Sequence, residues 1–375
     1  MSLEPARSTL KAKAYYFLPA FTLISEAASY GLEACQFDLG PHGSELEGED
    51  LCTSTANVIV ELGETIDYFP DLITESSDHI LSFQYKMTAT TIVPTIGRQP
   101  LQLGNSLDGL MFQEITRVLG REYIDVQVTD LLHAEDSEAK LRDLGIVLAE
   151  RGVVVFKSQK LSPKEQKELA QRLGEATGKP KESSLHRVTS DYSTLYMRTI
   201  PSTGGDTLFA SAYEVYDRIS PAYQKFLETL TCTFMPVGYQ PNPEHKALYE
   251  VERGHPLNID QSLTASHPVV RTNPVTGWKS VFAVGHHAQF INELTPLESQ
   301  QTLDFLNNLI SKNHDLQLRF KWNVDDLVIW DNRSVYHTAT YDYSEPRAAH
   351  RVVSVGEAPT LLEGSISRGQ ALGLL

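Results

Sequence analysis

The sequence predicts a mixed α+β fold with a strand-rich core. Three observations lead there: helix start signals recur between residues 137 and 309, short apolar strand runs crowd residues 316–355, and no internal repeat divides the chain. At 375 residues, 41% of them hydrophobic and 21% charged, the chain carries enough apolar material for a substantial core.

Taken in order, the first 86 residues read unlike the rest. They hold 14 acidic and 4 basic residues, a net charge of −10 out of −16 for the whole chain. They include loop-like text such as GPHGSELEGED (Gly40 to Asp50) and sustain no period of 3.6 or 2. The expected organisation is an acidic, partly disordered extension over 1–86, then one domain over 87–375 with its core at about 115–357.

Ser137 followed by EAKLRDLGIVLAERG predicts an amphipathic helix with Leu141, Leu144 and Leu148 on one face, closed by Gly152. VVVF (Val153 to Phe156) then reads as a buried strand. A second helix starts at Ser162, with Pro163 at N1 and Glu165 at N3 forming a capping box, and stops near Gly174. The same start signal returns at Ser220-Pro221 and at Thr295-Pro296, the latter opening a helix through Leu309. Leu316 to Trp322, Asp326 to Trp330 and Arg351 to Val355 read as strands.

The acidic balance repels phosphate backbones and anionic lipid, so neither nucleic acid nor a membrane is an expected partner. Cys35, Cys52 and Cys232 form neither a disulfide framework nor a C-x-x-C motif, which points to a reducing, cytoplasmic setting. Ala14 to Ile24 is too short to span a membrane, and Glu4 and Pro19 argue against a signal peptide.

Chemistry concentrates in Asp326 to Arg351, DLVIWDNRSVYHTATYDYSEPRAAHR. A strand delivers Trp330-Asp331-Asn332-Arg333 into a turn, His337 follows on the next strand, and Arg351 comes fourteen residues later. That spacing can bring an imidazole, a good Fe(II) ligand, and a carboxylate-gripping guanidinium to one cavity; a structural His and Arg pair is the plainer alternative. Gly204-Gly205, before Asp206 and Thr207, reads as a hairpin turn capped by Asp206, and the spacings of phosphate loops are absent.

Together these stretches resemble the taurine dioxygenase (TauD/TfdA) family of Fe(II)- and 2-oxoglutarate-dependent dioxygenases, most closely its fungal branch. The matching text is GREYIDVQVTDLL (Gly120 to Leu132), AERGVVVFKSQ (Ala149 to Gln159), GGDT (Gly204 to Thr207) with SAYEVYDRIS after it, HPVVRTNPVTGWKSVF (His267 to Phe282), WDNRSVYH (Trp330 to His337) and His350-Arg351. The resemblance implies a double-stranded β-helix, a jelly-roll core with flanking helices. It also implies Fe(II) held by two His and a carboxylate, with 2-oxoglutarate as co-substrate, for hydroxylation of a small anionic, sulfonate-like substrate. On this resemblance His337 is the distal His ligand, Arg351 grips the distal carboxylate of 2-oxoglutarate with help from the Thr207 hydroxyl, and Arg347 is a second candidate for that carboxylate. Members of the family often form dimers or tetramers, so the resemblance allows a homo-oligomer.

One departure stands out. The other two ligands belong to an H-x-D motif shortly before the GGDT turn, and no H-x-D tripeptide occurs anywhere in the chain. His186-Arg187-Val188-Thr189 joins directly the two flanks of the stretch where the family carries it. His186 with Asp191 could substitute, but they are five apart, not two; His267, His286 and His287 read as structural histidines. Either a segment is missing from this sequence or the chain is a variant with an incomplete metal site, and a catalytically silent jelly-roll that binds a dicarboxylate, or a partner subunit, is the alternative to an active dioxygenase. A zinc hydrolase would need an H-x-H or H-E-x-x-H pattern, and neither is present.

Overall fold

Our computed structural model describes residues 99–179, 189–235, 258 and 264–375. The extension expected over 1–86 lies outside the described residues, as does His186.

Two short strands, β1 (Phe112–Glu114) and β2 (Arg121–Tyr123), lead into helices α1 (Val128–Leu132) and α2 (Ser137–Arg151). Helix α2 ends as predicted at Gly152, whose φ of 72° lies in the left-handed region. A Cβ there would stand 2.5 Å from Val335 Cγ2, so the close approach also demands glycine. The fully buried β3 (Val153–Phe156) follows, then α3 (Pro163–Ala176), which carries the predicted Ser162–Glu165 capping box. Strands β4 (Ser190–Thr199) and β5 (Thr207–Ser211) come next, then α4 (Ala212–Asp217) and α5 (Pro221–Leu227), where Ser220 precedes the proline but makes no side-chain cap bond. Strands β6 (Thr231–Phe234), β7 (Ala265–Pro268), β8 (Val270–Thr272), β9 (Lys279–Val281) and β10 (Ala288–Ile291) precede α6 (Pro296–Ser311), with its capping box at Thr295–Glu298. The chain closes through β11 (Gln317–Phe320), β12 (Leu327–Asp331), β13 (Val335–Ala339), β14 (Ala348–Val355) and α7 (Arg368–Ala371).

Two sheets matter for the site. A six-stranded sheet runs β1-β2-β3-β12-β4-β14 and a three-stranded one runs β11-β5-β13. Their facing side chains form one apolar cluster: Val153, Val155, Met197, Val328 and Trp330 from the first, Phe209, Leu318, Phe320 and Val335 from the second. On the other face of the large sheet, Leu141, Leu144 and Leu148 of α2 and Leu169 and Leu173 of α3 pack against Val154, Phe156, Tyr192, Tyr196 and Ile329. The alternation of buried residues to the two faces of β3 and β12 makes these strands continuously apolar, as an internal strand between two layers must be. The result is the mixed α+β architecture that the sequence predicts.

The Gly204-Gly205 turn is not a hairpin. Strand β4 pairs with β12 and β14 while β5 pairs with β11 and β13, so the turn carries the chain from one sheet to the other. Both glycines have positive φ, and a Cβ on Gly204 would stand 2.5 Å from the Asp342 carbonyl. Asp206 does not cap the turn; its carboxylate pairs with Arg319 Nε at 2.6 Å. Among the described residues no helix is long and apolar enough to cross a membrane.

Candidate functional site

The turn after β12 is built by its own polar side chains. Arg333 donates from Nε and Nη2 to the two carboxylate oxygens of Asp331 at 2.7 and 2.9 Å, and Asn273 Nδ2 donates to Asp331 Oδ2 at 3.0 Å. Asn332 Nδ2 donates to Ser193 Oγ at 2.9 Å, and Asn332 Oδ1 accepts from the Trp330 indole at 2.9 Å. These groups are buried, and a buried bidentate pair of this kind costs about 3–5 kcal/mol to break by removing one partner. Trp330-Asp331-Asn332-Arg333 thus fixes the Trp330 ring and the start of β13.

His337 is the third residue of β13, in register with Phe209 of β5. Its ring lies 4.8 Å from that of Trp330 and 6.4 Å from that of Phe209. Its Nδ1 is buried with no hydrogen-bond partner. Burial first, and the positive charge of Arg351 second, hold the imidazole neutral, its pKa pushed down to about 3. Arg351, on β14 of the facing sheet, sets its guanidinium over the Trp330 ring at 5.6 Å. His337 and Arg351 are therefore brought together across the sandwich, as their spacing suggests.

Thr207 and Arg347 form the neighbouring half of the site. Thr207 is buried, and its Oγ1 accepts from the Trp322 indole Nε1 at 3.0 Å. Arg347, just before β14, donates from Nε to the Gly205 carbonyl at 3.0 Å, and its Nη2 is buried without a partner. Burial lowers the Arg347 pKa from its usual value, yet an arginine stays charged, and among the described residues no carboxylate forms an ion pair with it. The acids around this turn are engaged elsewhere: Asp206 by Arg319, Asp342 by the Gly205 amide at 3.0 Å, and Glu345 by the Ser202 amide and hydroxyl, both at 2.6 Å.

Of the residues weighed as substitute ligands, His186 lies outside the described residues, and the others sit in other parts of the fold. Asp191 is fully buried at the start of β4, where its carboxylate accepts from the Tyr192 amide at 2.6 Å and from the Ser354 hydroxyl, and burial raises its pKa. His267 and His287 belong to the region of β6, β7 and β10, with His287 Nδ1 3.1 Å from the Met235 carbonyl oxygen. Among the described residues no group of three His, Cys, Asp or Glu could hold a metal. His337 offers one imidazole, and the described residues do not complete a two-His, one-carboxylate iron set. Trp322 is the site residue that sequence reasoning missed, since an aromatic ending an apolar strand reads as core.

Comparison with known proteins gives the family. The family described as "Taurine catabolism dioxygenase TauD, TfdA family" matches residues 181–353. The chain is 38% identical over 364 residues to the alpha-ketoglutarate-dependent dioxygenase esdpJ of Penicillium shearii, a match covering 74% of this chain and 97% of that protein. It is 32% identical to the alpha-ketoglutarate-dependent sulfonate dioxygenase of Saccharomyces cerevisiae, covering 67% of this chain and 68% of that one. Among solved structures, AAD-2 in complex with Mn(II) and N-oxalylglycine superposes with a TM-score of 0.54 at 23% identity, covering 67% of this chain and 99% of that chain. A taurine dioxygenase from Burkholderia xenovorans gives 0.53 at 22% identity, covering 67% and 92%.

Proposed function

Because the chain belongs to the TauD/TfdA dioxygenase family, we propose that it binds 2-oxoglutarate between its two sheets and descends from enzymes that use this co-substrate to hydroxylate a small anionic, sulfonate-like molecule. The observation that carries the binding step is Arg347, a half-buried cation with an unpartnered Nη2 and no acidic partner among the described residues, held at Gly205 of the turn that leads into Thr207. A guanidinium withdrawn from water without an acid is costly unless an anion fills the place, and a carboxylate matches its fork. The resemblance ranks Arg351 before Arg347 for this carboxylate. The contacts favour Arg347, which touches the Gly205–Thr207 turn, while Arg351 stacks on Trp330 and faces His337. That position suits Arg351 to a second anionic group near His337.

In this reading the two facing sheets are the double-stranded β-helix of the family, with the co-substrate end-on between them. His337 is the distal metal ligand, and its low pKa keeps it unprotonated and ready to donate a lone pair at neutral pH. Names of the relatives point to 2-oxoglutarate, and the sulfonate dioxygenase among them supports an anionic substrate. The iron set does not fit the described residues, so the chain's own contribution is binding, orientation and exclusion of water. A second reading, a silent jelly-roll that binds the dicarboxylate without turnover, is favoured by the missing H-x-D text and the lack of a three-residue metal group among the described residues.

An anaerobic calorimetric titration of the purified chain with Fe(II), with and without 2-oxoglutarate, separates them. Tight iron binding that 2-oxoglutarate enhances, lost in His337→Ala, supports the dioxygenase. Binding of 2-oxoglutarate with no iron uptake supports the silent binder. No response to 2-oxoglutarate in either condition overturns both.

A further inference from the structure

Resting on the reading that Thr207 and Arg347 receive a carboxylate, we propose that Trp322 is a positioning residue for that anion, acting through Thr207. Trp322 and Thr207 are each 4% exposed, and the indole Nε1–H donates to Thr207 Oγ1 at 3.0 Å. An indole N–H can only donate, whereas a hydroxyl has one proton and two acceptor lone pairs. With a lone pair committed to Trp322, the Thr207 proton is directed away from the indole, and no group among the described residues accepts it. The hydroxyl is thereby set as a donor, two residues along the turn from Gly205, whose carbonyl accepts from Arg347 Nε and so holds the unpartnered Nη2 at the same turn. A carboxylate oxygen, an acceptor only, is the complement of that pair.

The indole is held in place independently of any ligand. Phe320 is in register with Thr207 across β11 and β5, and its ring meets Trp322 edge-on at 4.9 Å and 86°. Trp322 therefore commits its single hydrogen-bond donor to that one hydroxyl. The consequence is selective: losing the indole N–H weakens recognition of the distal carboxylate and leaves the 2-oxo acid end untouched.

The test uses the full chain and calorimetric titration with 2-oxoglutarate and with 2-oxopentanoate, which lacks the distal carboxylate. Trp322→Phe keeps an aromatic ring and removes the donor; it is expected to weaken 2-oxoglutarate about tenfold, the worth of one hydrogen bond in a charged network, and to leave 2-oxopentanoate as it is with the wild type, bound weakly or not at all. In a Thr207→Val background the same change is expected to cost nothing more, because the path is already cut. If Trp322→Phe does not fold, the three indole N–H resonances of the ¹⁵N-tryptophan-labelled protein carry the test. The Trp322 resonance should then move in Thr207→Val and on addition of 2-oxoglutarate. Equal losses for both ligands, additive losses in the double variant, or a Trp322 resonance indifferent to Thr207→Val overturn the positioning role. A wild-type chain that ignores 2-oxoglutarate overturns the carboxylate reading itself and this role with it, an outcome recognisable because the Trp322 resonance still responds to Thr207→Val.

Discussion

Arg333 and Arg347 stand in the connections before and after β13, and they are satisfied differently. Arg333 has Asp331 in a bidentate pair, so its charge is consumed within the fold. Arg347 has a carbonyl on one nitrogen and nothing on Nη2, so its charge is available. Replacing Arg347 by Gln should weaken 2-oxoglutarate binding about tenfold to a hundredfold, the range of a charge-assisted hydrogen bond, whereas Arg351→Gln should change it less than about threefold. Calorimetry on the two variants decides it, and the reverse ranking would return the carboxylate to Arg351. In the sequence both arginines and His337 are visible by type and spacing, but nothing local distinguishes a paired arginine from an unpaired one. That distinction depends on Asp206 and Asp342 being drawn to Arg319 and the Gly205 amide. A second residue-scale expectation concerns His287, whose pKa burial pushes down to about 4, with the His286 ring 3.9 Å away and the Met235 carbonyl on Nδ1. Below its unfolded value of about 6.5 the unfolded chain gains a proton that the folded chain refuses, so stability falls as pH drops from there towards 4. His287→Gln should flatten that slope by at most about 1.4 kcal/mol per pH unit. Urea midpoints at pH 7 and pH 5 measure it, and identical slopes in variant and wild type would contradict the assignment.

At the scale of elements, the helices are legible because their signals are local. Ser162-Pro163 with Glu165, and Thr295-Pro296 with Glu298, state their starts within four residues, and both capping boxes are formed. Ser162→Ala should therefore cost about 1 kcal/mol in urea unfolding, a loss that a merely decorative serine would not show. Gly152 is a sharper case, since it ends α2 at φ 72° and touches Val335 at the head of the His337 strand. Gly152→Ala combines backbone strain with a clash against buried atoms and should cost about 2 kcal/mol or more, and it should also disturb β13. The strand order is beyond sequence reasoning. Strand β12 lies between β3 and β4, partners about 130 or more residues away in the chain, and its apolar run says only that it is internal. The Gly204-Gly205 turn misleads for the same reason: its residues suit a hairpin, and only long-range pairing shows that it bridges two sheets.

For the whole molecule the decisive quantity is how binding of the co-substrate couples to metal. The match to esdpJ spans 364 residues yet occupies 74% of a 375-residue chain, so the relative carries residues with no counterpart here. That supports the reading that a segment is lacking, and α3 and β4 flank the place where the H-x-D text would stand. In the proposed reading, a complete iron set would add a metal-dependent contribution to the binding supplied by Arg347 and Thr207, and removal of metal would then weaken the ligand. With His337 alone, only the far-end contacts survive, and these need no metal. A ligand that binds only the folded state stabilises it by about 2.7 kcal/mol at a concentration one hundred times its Kd. Thermal unfolding of the chain with 2-oxoglutarate should therefore show a rise in Tm that a strong chelator does not diminish and added Fe(II) does not increase. A rise that disappears with chelator would mean that further ligands join His337 in solution and that the iron site is whole. Because the proposed carboxylate contacts come from the described residues Thr207 and Arg347 while the described residues supply only His337 towards a metal, one melting experiment separates co-substrate binding from metal binding.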